Sequence, residues 1–189
     1  MTDSKARLLE AAGDYVAANG VGDLSLRRLA TAIGTSHRML IYHFGSKEGL
    51  LVEVIRAMER RERAAVVALH LDGERTPGDL IRRCWQRLSD PAQWPHERLF
   101  FELYGQALQG YPGTGPLLES VVDAWLEPLV ESGVRRGLPP ELARSNGRLI
   151  LAVTRGLLLD LLATGDRDGV DLAMERFIAG YEAAGAPTR

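Results

Sequence analysis

The sequence predicts an all-α protein: a three-helix head containing a helix-turn-helix, joined by a long fourth helix to a larger helical body. Three observations predict it. Nowhere do apolar and polar residues alternate over a strand's length, whereas apolar residues recur three and four apart along the whole chain. Gly, Pro and capping Ser or Thr punctuate those segments where helices start and stop. Hydrophobic residues make up 46% of 189, enough for a real core and too many for a disordered chain.

The elements follow in order. Leu8, Ala12, Tyr15 and Val16 line one face of a first helix, which Asn19-Gly20 ends, glycine taking the left-handed C′ conformation readily. Ser25 caps a short second helix, LRRLATAI, and Gly34 breaks it. Ser36 caps a third, HRMLIYHF, which Gly45 ends. Ser46 caps the fourth, with Glu48 in its first turn, where the helix dipole favours an anion. Its apolar stripe runs from Leu50 through Leu69 to a stop at Asp72-Gly73.

Thr76-Pro77 opens the fifth helix as N-cap and N1, and Asp90-Pro91 closes it. Pro95 opens a sixth, reaching Gly110. After a loop at Gly113, Gly115 and Pro116, a seventh runs to Arg136-Gly137 with Pro128 inside it as an expected kink. Pro139-Pro140 opens an eighth, reaching Gly165, and residues 168–183 form the last. The eighth is apolar nearly all round at Leu157, Leu158, Leu159, Leu161 and Leu162, so every side of it seeks cover. A second copy of the chain supplies that cover in a four-helix bundle; a central position in a monomeric bundle is the alternative. Leu151, Leu158, Leu162, Phe177 and Tyr181 are the expected dimer contacts.

Composition excludes several classes. One cysteine cannot form an intrachain disulfide and fits a reducing compartment. The start of the chain has no apolar signal core, and the longest apolar stretch, 149–163, is interrupted by Arg155 and Asp160, so the expected location is cytoplasmic, with no membrane partner. No Gly-rich phosphate loop, Glu-x-x-His pair or nucleophile–base pairing stands out, so neither an enzyme nor a cofactor is expected. His70 and His96 are isolated, so no metal site is expected either. The net charge is −2, but residues 1–63 carry ten Lys/Arg against eight Asp/Glu, and Arg27, Arg28, Arg38 and Lys47 gather around the third helix.

That third helix carries the chemistry. Ala30, Gly34 and Leu40 have the spacing of a helix-turn-helix: a small residue at the crossing, a left-handed turn residue and a core anchor. With Leu40 and Phe44 inward, Arg38 and Tyr42 point outward, with Met39 beside them and His37 at the N-terminal end. A guanidinium, an imidazole, a phenol and a flexible apolar chain suit base edges and thymine methyls in a major groove. Ser25 with the N-terminus of the second helix, Tyr42, His43, Lys47 and the amides opening the fourth helix are candidate phosphate contacts around the rim, and Ser36 is a further candidate DNA contact. Arg27 reaches a base or a phosphate; His43 is either a DNA contact or a packed histidine.

From Lys5 to about Met58 the chain resembles the DNA-binding domain of the TetR family of bacterial repressors. The carrying residues are RLLEAAGDYVAANG and LSLRRLATAIGTSHRMLIYHFGSKEGLLVEVI, above all the ending HFGSKEGLL. The family pattern places a phosphate-holding tyrosine two residues before the motif's histidine; here Ile41 stands there and the ring is one place on, at Tyr42. The resemblance implies a sequence-specific transcriptional regulator, a small-molecule-responsive repressor, dimeric on a near-palindromic operator in double-stranded DNA. The DNA-binding domain would be 1–46, with the start of the fourth helix to about 58, and 47–189 would bind ligand and dimerise. Trp85, Phe100, Phe101, Tyr104, Trp125 and Arg155 are the candidate pocket residues for a small apolar or aromatic ligand. A DNA-binding regulator whose body binds a protein partner, or nothing, shares every N-terminal feature.

Overall fold

The computed structural model describes residues 3–21, 23–69, 76–119 and 121–185. These form α1 (Asp3–Asn19), α2 (Leu26–Ala32), α3 (His37–Phe44), α4 (Lys47–Leu69), α5 (Pro77–Leu88), α6 (Trp94–Leu108), α7 (Asp123–Arg135), α8 (Pro140–Thr164) and α9 (Arg167–Gly185). Single 3-10 turns lie at Pro91–Gln93 and Gly115–Leu117. Asp72-Gly73, the expected stop of α4, and His70 lie outside the described residues.

The capping predicted from sequence is present. The Ser25 hydroxyl accepts from the Arg28 amide at 3.2 Å and Ser36 from Met39 at 3.2 Å. Ser46 accepts from Gly49 at 2.9 Å. Thr76 and Asp79 form a reciprocal capping box at the start of α5. Each such cap is worth about 1 kcal/mol. Gly34 and Gly45, which bracket α3, both have φ near +70 to +78°, as the turn residues of a tight helix-turn-helix must.

The chain divides into two compact units. The first comprises residues 1–62 and 95–121, that is α1 to α3, most of α4, α6 and the segment after α6. Its head is closed by Leu9, Ala12, Val16, Leu29, Ala30, Leu40, Leu50 and Ile55, all buried. The segment after α6 seats on the first turns of α4. Gly113 has φ +83°, and a Cβ there would lie 3.3 Å from the Glu48 Cβ. Arg56 of α4 donates to the Pro116 carbonyl and sits 3.5 Å from Glu119 and 3.7 Å from Glu53.

The second unit comprises residues 63–94 and 122–189. Helices α7 and α8 pack closely because Gly147 leaves room: a Cβ there would lie 3.0 Å from Leu126 and 3.2 Å from Leu129. Helices α5 and α9 are joined at three levels, by Thr76 to Glu182 (2.9 Å), Arg82 to Glu175 (2.9 Å) and the Trp85 indole to Asp171 (2.6 Å). Leu80, Ile81, Val170, Met174 and Ile178 close the space between them. Cys84 on α5 is largely enclosed, and burial pushes its thiol up to about 11, so it stays protonated at neutral pH.

Two expectations are corrected. The seventh helix was expected directly after the 113–116 loop, but α7 begins only at Asp123. Leu117 and Val121 are buried in the first unit, and the chain completes a 3-10 turn there before entering the second. The eighth helix is not buried all round by its own chain: Leu158 and Leu161 are inward, but Leu159 is 52% exposed.

Gly113→Ala should destabilise the protein by about 1–2 kcal/mol, the penalty for a side chain at left-handed φ. Chemical denaturation measures it, and an unchanged midpoint would mean that this segment is not held against α4.

Candidate nucleic-acid interface

The interface is built by α2 and α3. Leu26, Leu29 and Ala30 turn α2 inward, and Ala30, 2% exposed, is small enough for α3 to cross it closely. Leu40 is wholly buried and Phe44 nearly so, which fixes the rotation of α3 about its axis. The remaining side chains then have to face out. His37 and Arg38 are exposed, Met39 and Ile41 are each 38% exposed, and Tyr42 is 78% exposed.

The charges are uncommitted. Among the described residues, none of Arg27, Arg28, Arg38 or Lys47 makes an ion pair with an acid. Lys47 is the first residue of α4, at the positive end of the helix dipole. A cation is disfavoured there in isolation and favoured once an anion such as a phosphate arrives. Ser25 and Ser36 use their lone pairs as caps, which leaves each hydroxyl proton for a phosphate oxygen. The guanidinium of Arg38 carries the donors for a bidentate contact to guanine N7 and O6.

His43 sits differently. It is half-buried between the rings of Tyr42 (5.0 Å) and Phe44 (6.1 Å), and its Nε2 is enclosed with no hydrogen-bond partner. Of the two roles open to it, packing is the one this geometry serves, and a DNA contact through Nε2 would need the ring to turn. One contributor escaped the sequence reading: Lys5 of α1 places its ammonium 5.4 Å over the Phe44 ring, adding positive charge at the far end of α3. No local pattern links residues 5 and 44.

The candidate ligand residues fall into two groups. Phe100, Phe101 and Tyr104 form an aromatic cluster in the first unit, Phe100 stacked on Tyr104 at 5.5 Å and edge-on to Phe101 at 5.2 Å. Trp85, Trp125 and Arg155 belong to the second unit, where Trp85 is buried and the other two half-buried. Arg155 is not paired with Asp160, which stands exposed. A cleft of about 440 Å³ between α5 and α9 is lined by Trp85 together with Arg82, Ser89, Arg167, Asp171 and Glu175. Those groups largely satisfy one another: Arg82 binds Glu175, and Arg167 donates to both the Ser89 hydroxyl (2.7 Å) and its carbonyl. No group of three or more His, Cys, Asp or Glu among the described residues is placed to hold a metal ion, and no helix among them is long and apolar enough to cross a membrane.

Comparison with known proteins agrees with this geometry. Residues 8–54 match the family described as bacterial regulatory proteins, tetR family. The whole chain is similar in fold to a transcriptional regulator from Rhodococcus sp. Rha1 (21% identity, 98% and 99% of the two chains, TM-score 0.76) and to a TetR transcriptional regulator from Legionella pneumophila (20%, 96% and 98%, TM-score 0.70). It is also similar to the multidrug binding protein EbrR, solved in complex with imidazole (25%, 93% and 88%, TM-score 0.68). No curated protein matches the chain.

Arg38→Ala should lose sequence preference more than non-specific affinity, about 1–3 kcal/mol on the specific duplex; equal weakening on specific and random duplexes would remove Arg38 from the readers. Lys47→Ala should weaken every duplex and shallow the salt dependence by about one unit of slope. Fluorescence anisotropy across a salt series checks both, and an unaltered slope would contradict the phosphate role.

Proposed function

We propose that the chain is a DNA-binding transcriptional regulator, a homodimeric repressor that a small molecule releases from a near-palindromic operator; the match of residues 8–54 to the tetR family of bacterial regulatory proteins supports this reading. The observation that carries the DNA part is the exposed α3 face of Arg38, Met39, Ile41 and Tyr42. In this reading residues 1–46 and the start of α4 hold the operator, and 47–189 bind ligand and dimerise. Two heads, each with α3 in a major groove, read two half-sites related by the dimer axis.

Support for the dimer comes from α8. Leu151 and Leu158, expected at the interface, face the interior of their own chain, Leu158 only 4% exposed. The residues left outward are Leu142, Ser145, Leu149, Ala152, Gly156, Leu159 and Ala163, alternately three and four apart. That is a helix–helix seam with small residues where backbones approach. Leu172 of α9 is exposed as well, while Leu162, Phe177 and Tyr181 are half-buried. A second copy covers this face isologously.

The response to ligand rests on α4, which contributes residues to both units. A ligand shifts the equilibrium only if it and DNA prefer different placements of that helix, a coupling typically of ~1–3 kcal/mol. EbrR, complexed with imidazole, supports a small-molecule effector here. The aromatic residues named above support an apolar or aromatic one.

Selection of bound duplexes from a random pool by the full-length protein, followed by titration with a compound panel, tests the function. A recovered palindrome released by one compound class supports it; no enrichment over the input pool contradicts it. Leu159→Glu should convert dimers to monomers in sedimentation velocity with secondary structure intact, because the residue is exposed within one chain. A persistent dimer would move the interface elsewhere.

A further inference from the structure

The recognition helix departs from its family's pattern at Ile41, and the structure shows where that residue goes. At ~100° per residue, the outward face of α3 reads around the axis as Ile41, Arg38, Tyr42, Met39, with Ile41 roughly 60° to one side of Arg38 and Met39 roughly 60° beyond Tyr42 on the other. Both apolar side chains are 38% exposed, while Leu40 and Phe44 alone fill the inner face. One exposed isoleucine on a protein surface would carry little meaning. Here two apolar side chains flank a guanidinium with no ion-pair partner among the described residues, on an eight-residue helix without a single acid. Polar base edges do not reward an isoleucine. The apolar group that a major groove offers is the 5-methyl of thymine.

We propose that Ile41 and Met39 read thymine methyl groups on either side of the base pair addressed by Arg38, so that each half-site requires thymine there for its methyl rather than for its hydrogen-bonding edge. The branched, conformationally stiff isoleucine gives the sharper of the two contacts, and the flexible methionine the more tolerant one. This rests on the reading of the chain as a DNA-binding regulator.

The test uses the full-length protein and its selected duplex. Each thymine is replaced singly by deoxyuridine, which keeps the pairing and removes only the methyl. We expect a loss of about three- to fivefold at one thymine position in each half-site, the effect of one buried methyl. In Ile41→Ala that loss disappears, because thymine and uracil become equal; in Ile41→Val it persists. A second, smaller loss disappears in Met39→Ala. Circular dichroism melts verify that these exposed substitutions leave the fold intact. Specific binding with no sensitivity to any uracil, or sensitivity that survives undiminished in both alanine variants, overturns the assignment while leaving the regulator reading intact. Failure of the wild-type protein to select any duplex removes both.

Discussion

The burial of Leu40 and Phe44 beneath α2 is the constraint on which the interface depends. A helix of eight residues has too few side chains to serve a core and a partner with the same face. Two of them are sunk into the head, Leu40 completely, and the close crossing that allows this requires the small Ala30 opposite. Once the rotation of α3 is set by those contacts, the positions of Arg38, Ile41, Tyr42 and Met39 are no longer free. The capping serines and the two left-handed glycines fix the ends of the helix in the same way. The outward placement of these side chains is therefore a consequence of packing.

Electrostatics act through placement rather than through net charge, which is slightly negative for the whole chain. Among the described residues Arg27, Arg28, Arg38 and Lys47 around α3 make no ion pair with an acid, whereas in the second unit Arg82 pairs with Glu175 and Asp79, Arg144 with Glu127 and Asp123, and Arg167 with Asp171. The hydrogen bond from Arg82 to the Glu175 carboxylate raises the pKa of the Arg82 guanidinium above its usual value. Such exposed pairs add little stability individually.

Much of this was legible in the sequence because it is local. Ser36 and Gly45 bound α3 to the residue, and Thr76-Pro77 starts α5 where the pattern placed it. The outward direction of Arg38 and Tyr42 followed from a helical wheel with two inward anchors. What stayed hidden is long-range. Nothing near Arg56 announces the Pro116 carbonyl, 60 residues away, and nothing near Phe44 announces Lys5. The run Leu157–Leu162 misled for a different reason: with five leucines around the single Asp160, periodicity cannot choose the inward face, so the burial of Leu158 and the exposure of Leu159 were decided only by packing against α7 and α9. The aromatic pocket residues share that difficulty, since an aromatic side chain serves a core and a cavity equally well.

The central claim, that α3 enters a major groove, is tested most directly by methylation protection with dimethyl sulfate, which attacks guanine N7 on the major-groove edge and adenine N3 on the minor-groove edge. On a bound duplex, guanine N7 should be protected in two symmetric half-sites while adenine N3 stays reactive between them. A fragment that is demonstrably bound, yet whose guanines react as fast as in free DNA, would contradict it.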